Sequence, residues 1–175
     1  MDDKRIRDLA LALRDRWASE GLPVLPGVSE AEIAYFEEQM FLRLPEDIRT
    51  FYSEVNGIDG LQCGGDLIHF WPLWEVMEEY HQVEKHPPSG VLYFADWSIH
   101  AEVFGVQIPT SGARSGAVTR EASDHATLAD SFGEFLGLYL QDSDRCHMTR
   151  EERTEHSKKF SLTESGWERR PTADQ

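Results

Sequence analysis

The chain has 175 residues, of which 40% are hydrophobic and 28% charged, and it carries a formal net charge of −15 at pH 7. That length suits one domain with a sizeable core, and the acid excess excludes nucleic acid and anionic membranes as charge-driven partners while favouring basic proteins. The start from Met1 to Arg5 is polar, no apolar run approaches membrane-spanning length, and Cys63 and Cys146 lie too far apart to suggest a disulfide scaffold, so a soluble cytoplasmic protein is expected.

In chain order, Ile6, Leu9, Leu13 and Trp17 are spaced to face one way, which predicts an amphipathic helix ended by Gly21 and Pro23. Leu22 to Gly27 reads as a linker. Ser29 and Glu32 then form a capping box, Val28 and Ile33 stand at the spacing of a hydrophobic staple, and Ile33, Phe36 and Met40 make one apolar stripe. Leu44 precedes Pro45, which stops the helix, and Pro45 suits the first position of a new one with Glu46 and Asp47 near its positive end. Ile48, Phe51, Tyr52 and Val55 form that helix's buried face, and Asn56-Gly57 is expected to end it.

Beyond a glycine-rich turn (Gly60, Gly64, Gly65), a strand is predicted over Leu67 to Trp71. Pro72 opens a short helix whose Leu73, Val76, Met77 and Tyr80 share a face, and His86 to Gly90 is a loop. Val91 to Ala95, Glu102 to Ile108 and Ala117 to Arg120 read as strands, the last after a Gly/Ser turn from Thr110 to Gly116. Ser131 and Glu134 cap a closing helix with Phe132, Phe135, Leu136 and Tyr139 on its apolar face. Gly133 and Gly137 inside it each cost roughly 1 kcal/mol relative to Ala, and close packing on the sheet is one reason that would account for them. Thr149 to Phe160 is expected to be a charged helix supported by Glu155 and Lys159, and Glu168 to Gln175 to be disordered. Helices, then strands, then a helix, without βαβ alternation, predict an α+β domain with a mostly antiparallel sheet flanked by helices. The expected division is 1–27 (helix and linker), 28–140 (the domain proper) and 141–175 (a polar tail).

The stretch Val28 to Gly57 resembles the SMI1/KNR4 family, also called SUKH. The likeness rests on the acidic helix Glu30 to Glu37, on Leu44-Pro45-Glu46-Asp47 running to Phe51-Tyr52, and on Asn56-Gly57. Leu67 to Val76, Leu92 to Ile108 and Leu128 to Leu140 resemble the family's later elements in order, so the likeness covers about residues 28 to 140. One departure is the segment ADWSIHAE, where many members carry a glycine-rich loop. The resemblance implies a non-enzymatic binding module, in particular a bacterial immunity protein that blocks a toxin. The alternative within the family is a regulatory or scaffolding module that binds a host protein.

Charge gives a clue independent of that likeness. Residues 28–80 hold twelve acids against only Arg43 and Arg49, a net of −10. An acidic face speeds association with a basic partner, here expected to be a nuclease-type toxin. Glu37, Glu38, Glu46, Asp47, Glu75, Glu78 and Glu79 are the expected steering charges, with Trp97 as an anchor; Trp71 is expected in the core, and Trp74 is a second candidate if it is exposed. The bland alternative is a solvated acidic surface with no partner.

No cofactor or metal site is expected. Asp96 and His100, with Ser98 between them, permit a carboxylate–histidine pair, but no G-x-S-x-G turn accompanies it, and Asp124-His125 is a pair common by chance. His81 and His86 are five apart, off the helical spacing for two ligands on one face, and there is no H-E-x-x-H or C-x-x-C. His69 on an apolar strand reads as a hydrogen-bonded core residue. The glycine clusters lack the lysine of a phosphate loop.

Overall fold

The computed structural model describes residues 3–60, 62–82, 90–109, 114–121 and 125–157. The loop residues His86 to Ser89, Thr110 to Ala113, Asp124, Lys159 and the end from Glu168 to Gln175 lie outside the described residues.

The architecture is α+β. Strands β3 (Ile68–Phe70), β4 (Val91–Trp97), β5 (Glu102–Gln107), β6 (Val118–Glu121) and β7 (His125–Ala129) form an antiparallel sheet in sequence order, so each strand pairs with its neighbour in the chain. A smaller sheet pairs β1 (Val24–Pro26) with β2 (Val55–Ile58). Neither β1 nor β7 is marked by the alternation that predicts strands. β1 sits in the presumed linker, where Pro26 argues against a ladder, and its pairing with β2 supplies the missing signal from a distance.

Helix α1 (Asp3–Ser19) buries Ile6, Ala10, Leu13 and Trp17, and the Trp17 indole N–H donates to the Tyr139 hydroxyl at 3.1 Å. Helix α2 (Glu30–Gln39) starts at the capping box: the Glu32 N–H donates to Ser29 Oγ at 3.3 Å and the Ser29 N–H donates to Glu32 Oε2 at 2.8 Å. It ends in a paired turn, with the Phe41 N–H donating to the Glu38 carbonyl and the Leu42 N–H to the Glu37 carbonyl. That turn needs a left-handed residue, usually glycine, and here Phe41 takes the role with φ 51°.

Helix α3 (Glu46–Glu54) begins one residue later than expected, with Pro45 as its cap. Its end also differs from the expectation. Val55 turns extended (φ −152°, ψ 131°), so Asn56-Gly57 does not cap α3 but runs inside β2. Gly57 has φ 74°, and a Cβ there would stand 2.4 Å from the Phe70 carbonyl oxygen, so glycine lets β2 pass against the end of β3. Asn56 serves a different helix: its Oδ1 accepts the Leu73 N–H at 2.9 Å, at the start of α4 (Leu73–Gln82).

Helix α5 (Phe132–Gln141) lays Phe132, Phe135, Leu136 and Tyr139 on one face of the sheet. The Phe70 ring lies 5.8 Å from Phe94 and 5.1 Å from Tyr139, and Phe104 lies 5.6 Å from Phe135. Burying such a side chain contributes roughly 1.5–3 kcal/mol, so this cluster holds helix to sheet. Gly137 is not part of that contact: a Cβ there would meet no atom within 4 Å, which corrects the close-packing reading at this position. After α5 the chain returns to the sheet. Cys146 is buried, and Arg120 and Arg153 donate to the carbonyls of His147 (2.9 Å) and Leu128 (3.0 Å).

The other face of the sheet belongs to α4. Register aligns His69 with Asp96, Asp96 with Val103 and Val103 with Glu121, so these four lie in one row across the strands. Side chains in such a row share a face.

Candidate partner-binding surface

The acids expected to steer a partner divide into two groups. Glu37, Asp47 and Glu75 are buried, whereas Glu38, Glu46 and Glu78 are exposed and Glu79 is half-buried. The buried members serve the fold. Glu37 Oε1 accepts the Leu44 N–H at 2.9 Å and an Arg49 N–H at 2.6 Å, while Oε2 accepts from Arg43 at 2.7 Å. Burial alone would push the Glu37 carboxyl up, but the Leu44 N–H and the two guanidinium groups outweigh it and hold it below its usual range. Asp47 accepts from both the N–H (3.0 Å) and the hydroxyl (2.5 Å) of Ser115, which ties α3 to the segment before β6.

The third buried acid, Glu75, belongs to a polar cluster under α4. The His69 ring stands 3.6 Å from Glu75 Oε2 and 3.6 Å from Asp96 Oδ2, and 3.1 Å from the Ile58 carbonyl oxygen. His69 is thus a buried, hydrogen-bonded residue, as its apolar strand suggested. Asp96 Oδ2 also accepts the Trp71 indole N–H at 2.6 Å, and Oδ1 accepts the His100 N–H at 2.9 Å. Burial works against charge at His69, but Asp96, the Ile58 carbonyl and Glu75 outweigh it and raise the imidazole. Asp96 is lowered, because His69, the His100 N–H and the Trp71 indole outweigh its burial. Glu75 is raised chiefly by burial.

Asp96 and His100 are therefore engaged in holding a turn. Ser98, Ile99 and His100 all have positive φ, and the Asp96 carboxylate pins the His100 N–H in that conformation. The His100 ring Nε2 lies 3.9 Å from Asp96 Oδ2, and the ring stacks on Trp71 at 5.4 Å.

The surface carries a set of aromatic side chains. Tyr35 is 58% exposed, Phe41 97% and Trp74 46%. Tyr35 lies on α2 opposite the Ile33–Phe36–Met40 stripe, and Tyr35 and Trp74 line one hollow between α2 and α4 with Val28 and Met77. Phe41 borders a separate hollow with Ala34 and Glu38. Large apolar side chains that share an exposed hollow, as Tyr35 and Trp74 do, are typical of interaction sites. Phe41 also has a backbone conformation that costs about 1–2 kcal/mol for a residue with a Cβ, so the chain keeps a strained aromatic fully exposed. Trp97, by contrast, is half-buried with its ring 5.6 Å from that of His147. Phe41 and Tyr35 escaped sequence reading because only their position off the apolar stripe marks them.

Residues 27–138 match the profile of the SMI1 / KNR4 family (SUKH-1). The chain belongs to this family. No curated protein matches it. The SMI1/KNR4 assignment marks a protein-binding or immunity-type module in a generally non-catalytic family.

The residues that carry the SMI1/KNR4 resemblance are mostly interior. Ile33, Phe36, Glu37, Leu44, Phe51, Tyr52 and Asn56 are all buried. They set the α2–α3 elbow, the core and the start of α4, so the signature describes the scaffold. Among the described residues, no helix is long and apolar enough to cross a membrane, and no group of three His, Cys, Asp or Glu is placed to hold a metal ion.

Proposed function

We propose that this SMI1/KNR4 protein is an immunity protein that neutralises a basic, nuclease-type toxin domain by binding it through the α2–α4 face. The observation that carries the reading is the exposed pair Tyr35 and Trp74 on one hollow between α2 and α4, with the exposed acids Glu38 and Glu78 on the same two helices and Phe41 exposed just past the end of α2. Aromatic anchors supply most of the energy of a protein interface, and surrounding charges of one sign steer the complementary partner and select against acidic competitors. No ion pair within the described residues engages Glu38, Glu46 or Glu78, so their charge is available to a partner. Glu30 and Glu54, which bond to Arg49 and Arg7, are spent internally.

The test is growth rescue with the toxin domain encoded beside this gene, together with affinity measured on the purified pair. The reading expects rescue, and its loss when Tyr35, Phe41 and Trp74 are replaced by alanine in a protein that still folds. Binding to a non-toxic host protein without any rescue would replace it with the regulatory or scaffolding role.

A further inference from the structure

A second hollow lies on the adjoining side of α4. Trp74 and Met77 face the first, whereas Val76, Glu79 and Tyr80 face a cavity of about 170 Å³ between α4 and the sheet. A cavity of about 150 Å³ accommodates a benzene ring, so this one has room for a single side chain. Its aromatic walls are Trp71, Tyr80, Tyr93 and His100. Tyr93 is held there by its cross-strand neighbour Gly105, where a Cβ would stand 2.9 Å from the Tyr93 ring; the ring occupies the space over the glycine. Two carboxylates, Glu79 and Glu121, complete the lining, and no Lys or Arg is among its described residues. The charge of Glu121 reaches Tyr93, whose hydroxyl is raised first by burial and then by that carboxylate.

We propose that this cavity binds one organic cation: the guanidinium or ammonium end of a basic side chain on the docked partner. The proposal rests on the reading of the chain as a binder of a basic protein and assigns the contact that reads its charge. Aromatic faces attract a cation through their quadrupole, most strongly where water is excluded, and a nearby carboxylate adds a charge-assisted hydrogen bond. An apolar stem fits the largely apolar walls, which a bare inorganic ion does not.

The first measurement uses n-butylguanidinium as the probe on the intact protein, followed by NMR at the Trp71 indole N–H, with n-butanol as the neutral control. A probe this small is expected to bind with Kd on the order of 1 mM. Expected are saturable shifts at Trp71 and Tyr93, none with n-butanol, and binding weakened at least about tenfold in Glu79→Gln and Glu121→Gln, two changes that keep side-chain shape. Prior formation of the toxin complex should block the probe. Equal binding of n-butanol, or no effect of either glutamine variant, overturns the proposal. So does probe binding that persists in the complex, which would make the cavity a site for a free small organic cation. If the complex forms but the probe never binds, the cation site is wrong and the immunity reading stands. If the probe binds but no basic partner is found, that reading falls and takes the side-chain source with it.

Discussion

Glu37 and Arg49 meet at 2.6 Å across the α2–α3 elbow, and the same carboxylate oxygen accepts the Leu44 N–H just before the break at Pro45. One acid thus closes the turn between two helices. Replacing Glu37 with alanine leaves a buried N–H without a partner and frees Arg49, at a cost of about 2–3 kcal/mol. Urea denaturation of Glu37→Ala should show a lower midpoint with an unchanged slope, and Glu38→Ala next to it should fall within about 0.5 kcal/mol of the parent. Equal stability of the two variants would remove Glu37 from the elbow. A charge reversal at Glu37 is therefore a poor probe of any interface, because it unsettles the fold.

Anchors and steering charges should separate kinetically. Tyr35→Ala and Trp74→Ala remove exposed side chains, so stability should stay near that of the parent, while each weakens toxin binding by about 2 kcal/mol, or roughly 30-fold, mainly through faster dissociation. Surface plasmon resonance gives the two rates directly; unchanged dissociation in both variants would move the interface off the α2–α4 face.

Reversal of Glu38 and Glu78 to lysine should act on the other rate. Association should slow about tenfold at low salt, and the difference from the parent should shrink as salt screens it. A salt-independent change, or none, would deny these two acids a steering role.

Legibility followed the range of the interaction. The capping box of Ser29 and Glu32 was readable because it spans three residues, and the stripe of Ile33, Phe36 and Met40 because helix geometry repeats. Strand β7 was not readable: HATLA is short, and only its ladder with β6 makes it a strand. Burial of Glu37 had a faint local signal. It sits four residues after Ile33, within the apolar stripe, with Arg43 and Arg49 downstream to receive its charge. Residues 28–80 are acidic as charge but not throughout as surface: Asp47 finds its partner in Ser115, far along the chain, and Glu37 and Glu75 are buried against partners that only the fold brings within reach. Trp74, a candidate anchor on condition of exposure, is exposed, whereas Phe41 has no such signal, because its exposure depends on a left-handed phenylalanine where glycine is the rule.

Stability should fall as pH rises above 6.5. His69 faces Asp96 on β4, Glu75 on α4 and the Ile58 carbonyl on β2, and its imidazole is raised above the ordinary 6.5. Its contribution is complete below 6.5 and is lost as pH climbs through the higher folded-state value. Glu75, raised above 4.5, changes stability in the same direction. Asp96, lowered below 3.8, contributes above 3.8 and loses that contribution as pH falls through its folded-state value. The urea midpoint should therefore be highest in mildly acidic solution and should decline as pH rises above the ordinary imidazole value of 6.5. In His69→Gln the decline should flatten; a parent-like slope in that variant would exclude His69 as its source.

Gly137 offers a stabilising change. It lies inside α5, its φ is not in the left-handed region, and a Cβ there meets no atom within 4 Å. Alanine reduces the conformational freedom of the unfolded chain and is favoured over glycine in a helix by about 1 kcal/mol, which for a chain of this length corresponds to about 2–4 °C in Tm. Gly57→Ala provides the contrast, since φ 74° and the Phe70 carbonyl at 2.4 Å oppose any side chain. Calorimetry of the two variants should show shifts of opposite sign. A destabilised Gly137→Ala would mean that α5 needs its glycine for a contact closer than the one described, and would restore the close-packing reading.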